Sequence, residues 1–108
     1  MAIKVFVTDN FEKLSKVAAK IVKEHIIQGL QNKGEYVLGL ATGNSPTGLY
    51  KELAQMANAK EFDSSRVRSF NLDEYIGLPG ENAQQRTIHP QSYCYFMIKE
   101  FFLSLIHI

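Results

Sequence analysis

The sequence predicts an α/β fold: a Rossmann-like parallel sheet flanked by helices, incomplete as it stands. Two observations carry this reading. Short β-branched runs alternate with longer segments of helical apolar spacing, and the second run breaks into "ATGNSPTG" just where helical spacing resumes.

Each element follows from local chemistry. "IKVFVT", residues 3 to 8, is β-branched and aromatic and reads as the first strand. Asp9 or Asn10 can cap the next segment, where Leu14, Val17, Ala18, Ile21, Val22, His25 and Ile26 form an apolar stripe from Phe11 to about Gln31, ended near Gly34. "YVLGLAT", residues 36 to 42, is the second strand, and Leu49, Leu53 and Met56 mark the second helix. A third strand is expected around Val67 to Leu72. "HPQSYCYFMIKEFFLSLIHI" starts a helix near Pro90. Three parallel strands and an apolar tail would leave sheet edges without cover, which is why the chain reads as incomplete.

Composition narrows the function. Twelve Lys and Arg against eleven Asp and Glu give a formal charge of +1, too weak a field to argue for nucleic acid or a membrane as partner. Cys94 is the only cysteine, so no internal disulfide forms and a reducing, cytoplasmic setting is expected. No apolar run approaches the roughly 18 residues of a membrane span, and the N-terminus lacks a signal-peptide core. His25, His89 and His107 lack metal-ligand spacing. His25 is expected to pack on the apolar helix face.

In an open α/β sheet, ligands lie beyond the carboxyl ends of the strands. "TGNSPTG" stands there. Ser45 is expected to cap the second helix and Pro46 to take its first position, leaving first-turn N–H groups aimed outward at the positive end of the helix dipole. Gly43 and Asn44 tolerate positive φ, and Thr42 and Ser45 add hydroxyl donors, so the loop can wrap an anion such as a phosphate. It is neither a Walker A loop nor GxGxxG. Read alone, it is equally a capped turn.

The third strand ends in "FNLDEY", which puts Asp73 and Glu74 at the same rim. Adjacent carboxylates on an extended chain face opposite sides, so one can act on a ligand while the other binds a neighbouring donor. Beside a phosphate ester, a carboxylate is suited to proton abstraction rather than to holding the anion. The plainer reading of both acids is a cap after a strand. Cys94, Tyr93, Phe96, Met97, Phe101 and Phe102 read as packing, and Arg66 and Arg68 as a solvated edge.

"LGLATGNSPTGLYKEL" and "SFNLDEYIGL" together resemble the start of the glucosamine-6-phosphate deaminase family, from about Ile3 to Leu78, and "HPQSYCYFMIKEFF" resumes the resemblance. The resemblance implies conversion of glucosamine 6-phosphate and water to fructose 6-phosphate and ammonia, in amino-sugar (N-acetylglucosamine) catabolism, with no metal and no organic cofactor. It implies that Asp73 moves the proton between C2 and C1, that Thr42, Gly43, Asn44 and Ser45 bind the phosphate, and that Glu74 and Tyr75 support the aspartate. It also places "HPQSY" near a mobile lid.

The departures are equally specific. The family's later glycine-rich segment, with its ring-opening histidine and acidic residues, has no counterpart here, nor does the later phosphate-binding lysine. Residues 1–108 are therefore expected to be an N-terminal portion of one domain, inactive alone. Residues 79–88 form an atypical, uniformly loop-like insertion, and Cys94 stands where the family often has histidine. The expected partner is a small sugar phosphate, with self-association into a homo-oligomer left open. A related sugar-phosphate isomerase, a 6-phosphogluconolactonase and a non-catalytic sugar-phosphate sensor are the alternatives.

Overall fold

A computed structural model describes residues 2–87 and 89–102 of the chain. The first helix, α1, spans Phe11–Lys33. Asn10 begins it: its backbone is extended and its side-chain oxygen accepts the Lys13 N–H at 2.9 Å, satisfying one of the donors that a helix start leaves open. At the other end the N–H of Gly34 returns to the Leu30 carbonyl at 3.0 Å. Ser15, Ala19 and Ile26 are the buried residues of α1, and their spacing puts them on one face.

β1 covers Tyr36–Leu40 and leads through residues 41–46 into α2, Thr47–Asn58. Tyr50, Leu53, Ala54 and Ala57 are the buried face of α2. Gly48 lies where α2 crosses α1: a Cβ there would stand 2.1 Å from Ser15 Oγ and 2.9 Å from Phe11 Cε1. Only glycine permits that approach without repacking.

A 3-10 turn over Ser64–Arg66, begun by Asp63, feeds β2 at Val67–Asn71. β1 and β2 are parallel, with Tyr36 opposite Val67 and Leu40 opposite Asn71. Leu72 N–H adds a bond to the Leu40 carbonyl at 3.0 Å, extending the pairing past the ladder. Two short helices follow, α3 at Ala83–Thr87 and α4 at Tyr93–Glu100.

Ala19, Leu40, Tyr50, Leu53, Ala54, Met97 and Phe101 form the core, joining α1, β1, α2 and α4. Phe101 stacks on the Tyr50 ring at 5.0 Å. The opposite sheet face is apolar and open: Val37, Phe70 and Leu72 are all exposed.

Several expectations change. Residues 3 to 8 form no strand, and among the described residues the sheet has two strands rather than three. Ile3 is 92 % and Val7 90 % exposed. β-propensity expresses packing on a neighbouring surface, and here that surface is missing. The 79–88 segment contains α3, because Asn82 Oδ1 accepts the Gln85 N–H at 2.9 Å and supplies a helix start inside polar sequence. His25 is exposed, one position before the buried Ile26, so a one-residue rotation around the helix carries it off the core face. Arg68 pairs with Glu35 at 3.3 Å on the exposed edge, as its alternation suggested. The tail "LSLIHI" with His107 lies outside the described residues.

Candidate active site at the strand ends

The parallel register decides where the site forms. Leu40 and Asn71 are paired, so Thr42 and Asp73, each two residues further on, leave neighbouring strands at the same rim. The predicted phosphate loop and the predicted base thus become neighbours through two hydrogen-bonded strands.

The loop is held from below. The buried Tyr50 gives its hydroxyl proton to the Ala41 carbonyl, tying the start of the loop to α2. Burial pushes the Tyr50 phenol up, and that hydrogen bond offsets part of the rise. Thr42 is half-buried, whereas Gly43, Asn44 and Ser45 are exposed. Gly43 has φ 103, a conformation that side-chain-bearing residues rarely adopt, and it turns the chain outward.

Ser45 does not cap α2. Pro46 takes that position with φ −88 and ψ 0, and the Asn44 carbonyl closes the turn by accepting Thr47 Oγ1 at 2.8 Å. The proline ring fixes φ close to its helical value, displacing the cap by one residue. No side chain caps α2 and its first turn holds no acidic residue, and the Thr47 N–H donates to the Asn44 carbonyl at 3.4 Å, so the positive end of the helix dipole lies at the loop without a neutralising carboxylate in that turn.

Asp73 and Glu74 have separated into different tasks. Asp73 is exposed at the rim. Glu74 reaches across to α4: one carboxylate oxygen accepts the Tyr93 N–H at 2.8 Å and the Tyr75 N–H at 2.9 Å. The other accepts Ser92 Oγ at 2.9 Å and the Cys94 N–H at 3.0 Å. Burial alone would raise the Glu74 carboxyl, but these four donors outweigh it and hold the group at about 2. Ser92 is itself buried and accepts the Tyr95 N–H at 3.3 Å, so the cap residue of α4 is clamped to the end of β2.

That clamp brings in Tyr93, which sequence reasoning assigned to packing. Its ring lies 4.8 Å from the Tyr75 ring. Its hydroxyl interacts with the Tyr75 hydroxyl, which together with burial and the charges on Tyr75 and Asp73 pushes the phenol up, while Thr42 pulls it the other way. The sequence signal was the Ser92 cap, which fixes where α4 starts and hence which way its first residue points. Cys94 is half-buried, and burial followed by the Glu74 charge pushes its thiol up, so it stays protonated. His89 Nδ1 accepts the Gln91 N–H at 3.1 Å and helps shape the turn before Ser92.

No protein-family model matches the chain. Curated proteins do: the glucosamine-6-phosphate deaminase of Thermoanaerobacter sp. (strain X514) is 50 % identical over 99 residues, which is 92 % of this chain and 35 % of that protein. The enzyme of the same name from Clostridium perfringens (strain SM101 / Type A) is 51 % identical over 94 residues, 87 % of this chain and 34 % of its own length. The chain is a homologue of the N-terminal third of glucosamine-6-phosphate deaminases. It spans about a third of the length of these curated deaminases.

Solved structures agree on the fold. A monomeric glucosamine-6-phosphate deaminase superposes with a TM-score of 0.76 at 33 % identity, covering 95 % of this chain and 38 % of that one. A Neisseria gonorrhoeae protein assigned as a 6-phosphogluconolactonase superposes at 0.74 with 24 % identity, over 94 % of this chain and 40 % of that one, and shares the architecture. The Rossmann-like α/β class expected from the sequence therefore holds, as part of a larger domain.

Among the described residues, no group of three His, Cys, Asp or Glu side chains could hold a metal ion, and no helix is long and apolar enough to cross a membrane.

Proposed function

We propose that this chain carries the phosphate anchor and the proton-transferring base of a cytoplasmic glucosamine-6-phosphate deaminase. The reaction converts glucosamine 6-phosphate and water to fructose 6-phosphate and ammonia. The observation that carries the reading is the parallel pairing of Leu40 with Asn71, which sets the Thr42 to Ser45 loop beside Asp73.

The chemistry follows from that adjacency. The loop N–H groups and the Thr42 and Ser45 hydroxyls receive the phosphate, assisted by the α2 dipole. Binding energy gathered at the phosphate then fixes the far end of the sugar, where the C2 proton must meet a base. Asp73 is that base, carrying the proton from C2 to C1 of the opened sugar. Glu74 and Tyr75 hold the strand end in place, Glu74 through α4. Glu74 is occupied by four donors and unsuited to the proton transfer.

Ring opening needs a further acid or base, and among the described residues Asp73 is the only carboxylate at the rim that the fold does not occupy. The 108-residue chain by itself is therefore expected to bind sugar phosphate without appreciable turnover, the rest of the reaction depending on protein outside it.

The test is an assay of the complete protein carrying this sequence. Ammonia release from glucosamine 6-phosphate supports the reading. Hydrolysis of 6-phosphogluconolactone without ammonia release assigns the site to the lactonase reaction, and tight sugar-phosphate binding with no turnover of either substrate identifies a sensor.

A further inference from the structure

Ser92 is 1 % exposed and joins the end of β2 to the start of α4. Its hydroxyl makes two bonds: it accepts the Tyr95 N–H at 3.3 Å as the cap of α4, and it donates to Glu74 Oε2 at 2.9 Å. Capping needs only the first. Aspartate caps a helix as well, but its carboxylate has no proton to give and would set a second negative charge against Glu74. A hydroxyl serves both partners.

The second bond bears on Asp73 through the chain. Leu72, before it, is tied to β1 by its N–H on the Leu40 carbonyl at 3.0 Å. Glu74, after it, is tied to α4 by Ser92 and by the N–H groups of Tyr93 and Cys94. α4 is itself fixed in the core, since Met97 is fully buried and Phe101 stacks on Tyr50 at 5.0 Å. Asp73 is thus held between two anchored residues, and its exposed side chain takes its place from them.

We propose that Ser92 is a positioning residue for the proton transfer: by fixing the Glu74 carboxylate on α4, it keeps Asp73 at the distance from the phosphate loop that C2 of the bound sugar requires. This rests on the reading of Asp73 as the base. Ser92 touches no substrate in this role. The anchor loop is held separately, by the Tyr50 hydroxyl on the Ala41 carbonyl, so loosening Ser92 disturbs the base and spares phosphate binding. A slightly displaced base loses rate steeply, because proton transfer depends on a near-attack geometry.

The test measures solvent-deuterium exchange at C2 of glucosamine 6-phosphate by the complete protein, as maximal rate and KM, with the thermal midpoint alongside. Ser92→Ala and Ser92→Gly both delete the hydroxyl, but glycine retains most of the stability of the cap. The expected result is a fall of about ten-fold in maximal rate for both variants with KM unchanged, although alanine lowers the midpoint more than glycine does. Glu74→Gln should cause a similar fall, and Ser92→Gly added to it should cost nothing further. A rate that follows the midpoint, falling in alanine and near the parent in glycine, would show a cap alone and overturn the proposal. Unchanged rates, a rise in KM, or additive losses in the double variant would overturn it too. If Ser92→Ala does not fold, the glycine variant decides by the same readings. A parent that exchanges no C2 proton, or whose exchange survives Asp73→Asn, refutes the base assignment and the proposal with it. Exchange lost in Asp73→Asn but intact in the Ser92 variants removes the proposal alone.

Discussion

Glu74 and Ser92 are joined at 2.9 Å, and through this contact the end of β2 holds the cap residue of α4. A carboxylate 18 positions earlier in the chain thus sets the start of a helix that the core requires at Met97 and Phe101. The same carboxylate also accepts the Tyr93 N–H at 2.8 Å.

The clamp should be visible as a pH dependence. The folded-state pKa of Glu74 is depressed to about 2 from an ordinary 4.5, so its contribution is complete above about 4.5 and disappears as pH falls toward 2. Glu74→Gln should lower stability at neutral pH by about 1 kcal/mol after allowing for solvent screening at this exposed group, or about 5 °C in thermal midpoint. Between pH 5 and 2 the parent should lose stability that the glutamine variant has already lost. Parallel curves for the two proteins would show that the clamp contributes nothing.

The crossing of α1 and α2 makes a sharper prediction. Gly48→Ala should destabilise by about 1–3 kcal/mol, because the new methyl meets Ser15 Oγ at 2.1 Å. Ser15→Ala removes that oxygen and should recover part of the loss, which a double-mutant cycle in urea measures.

Gly43 tests the loop itself. A Cβ there meets nothing within 4 Å, so Gly43→Ala is penalised through its φ of 103 and not by a clash. The expected cost is about 1 kcal/mol, appearing as a several-fold loss of phosphate affinity by calorimetry if the alanine shifts the loop out of its receiving conformation.

Tyr50→Phe separates anchoring from packing. Its ring keeps the stacking on Phe101 while the bond to the Ala41 carbonyl is lost. Stability should fall by about 1 kcal/mol, and hydrogen exchange at residues 41–46 should accelerate more than exchange in α1.

Much of this was legible in the sequence wherever a local rule and the tertiary environment agreed. Asn10 caps α1, β1 and β2 pair in parallel, and Thr42 and Asp73 share a rim because helical crossovers force parallel strands to end on the same side. The misreadings mark where the environment decides. Residues 3 to 8 have strand composition but no ladder partner, and Pro46 displaced Ser45 from the cap. The link of Tyr93 to the end of β2 was hidden because an aromatic helix start looks the same in sequence whatever its main chain binds. Its N–H bonds Glu74, which is 19 positions away and carries no local signal.

The most direct measurement is solvent-deuterium exchange at C2 of glucosamine 6-phosphate, catalysed by the complete protein and by its Asp73→Asn variant, with sugar-phosphate affinity measured alongside. Loss of exchange by about 1000-fold with affinity retained is the result expected of a base at Asp73 and a separate anchor at residues 42–45. Exchange that persists at the parent rate in Asp73→Asn would contradict it.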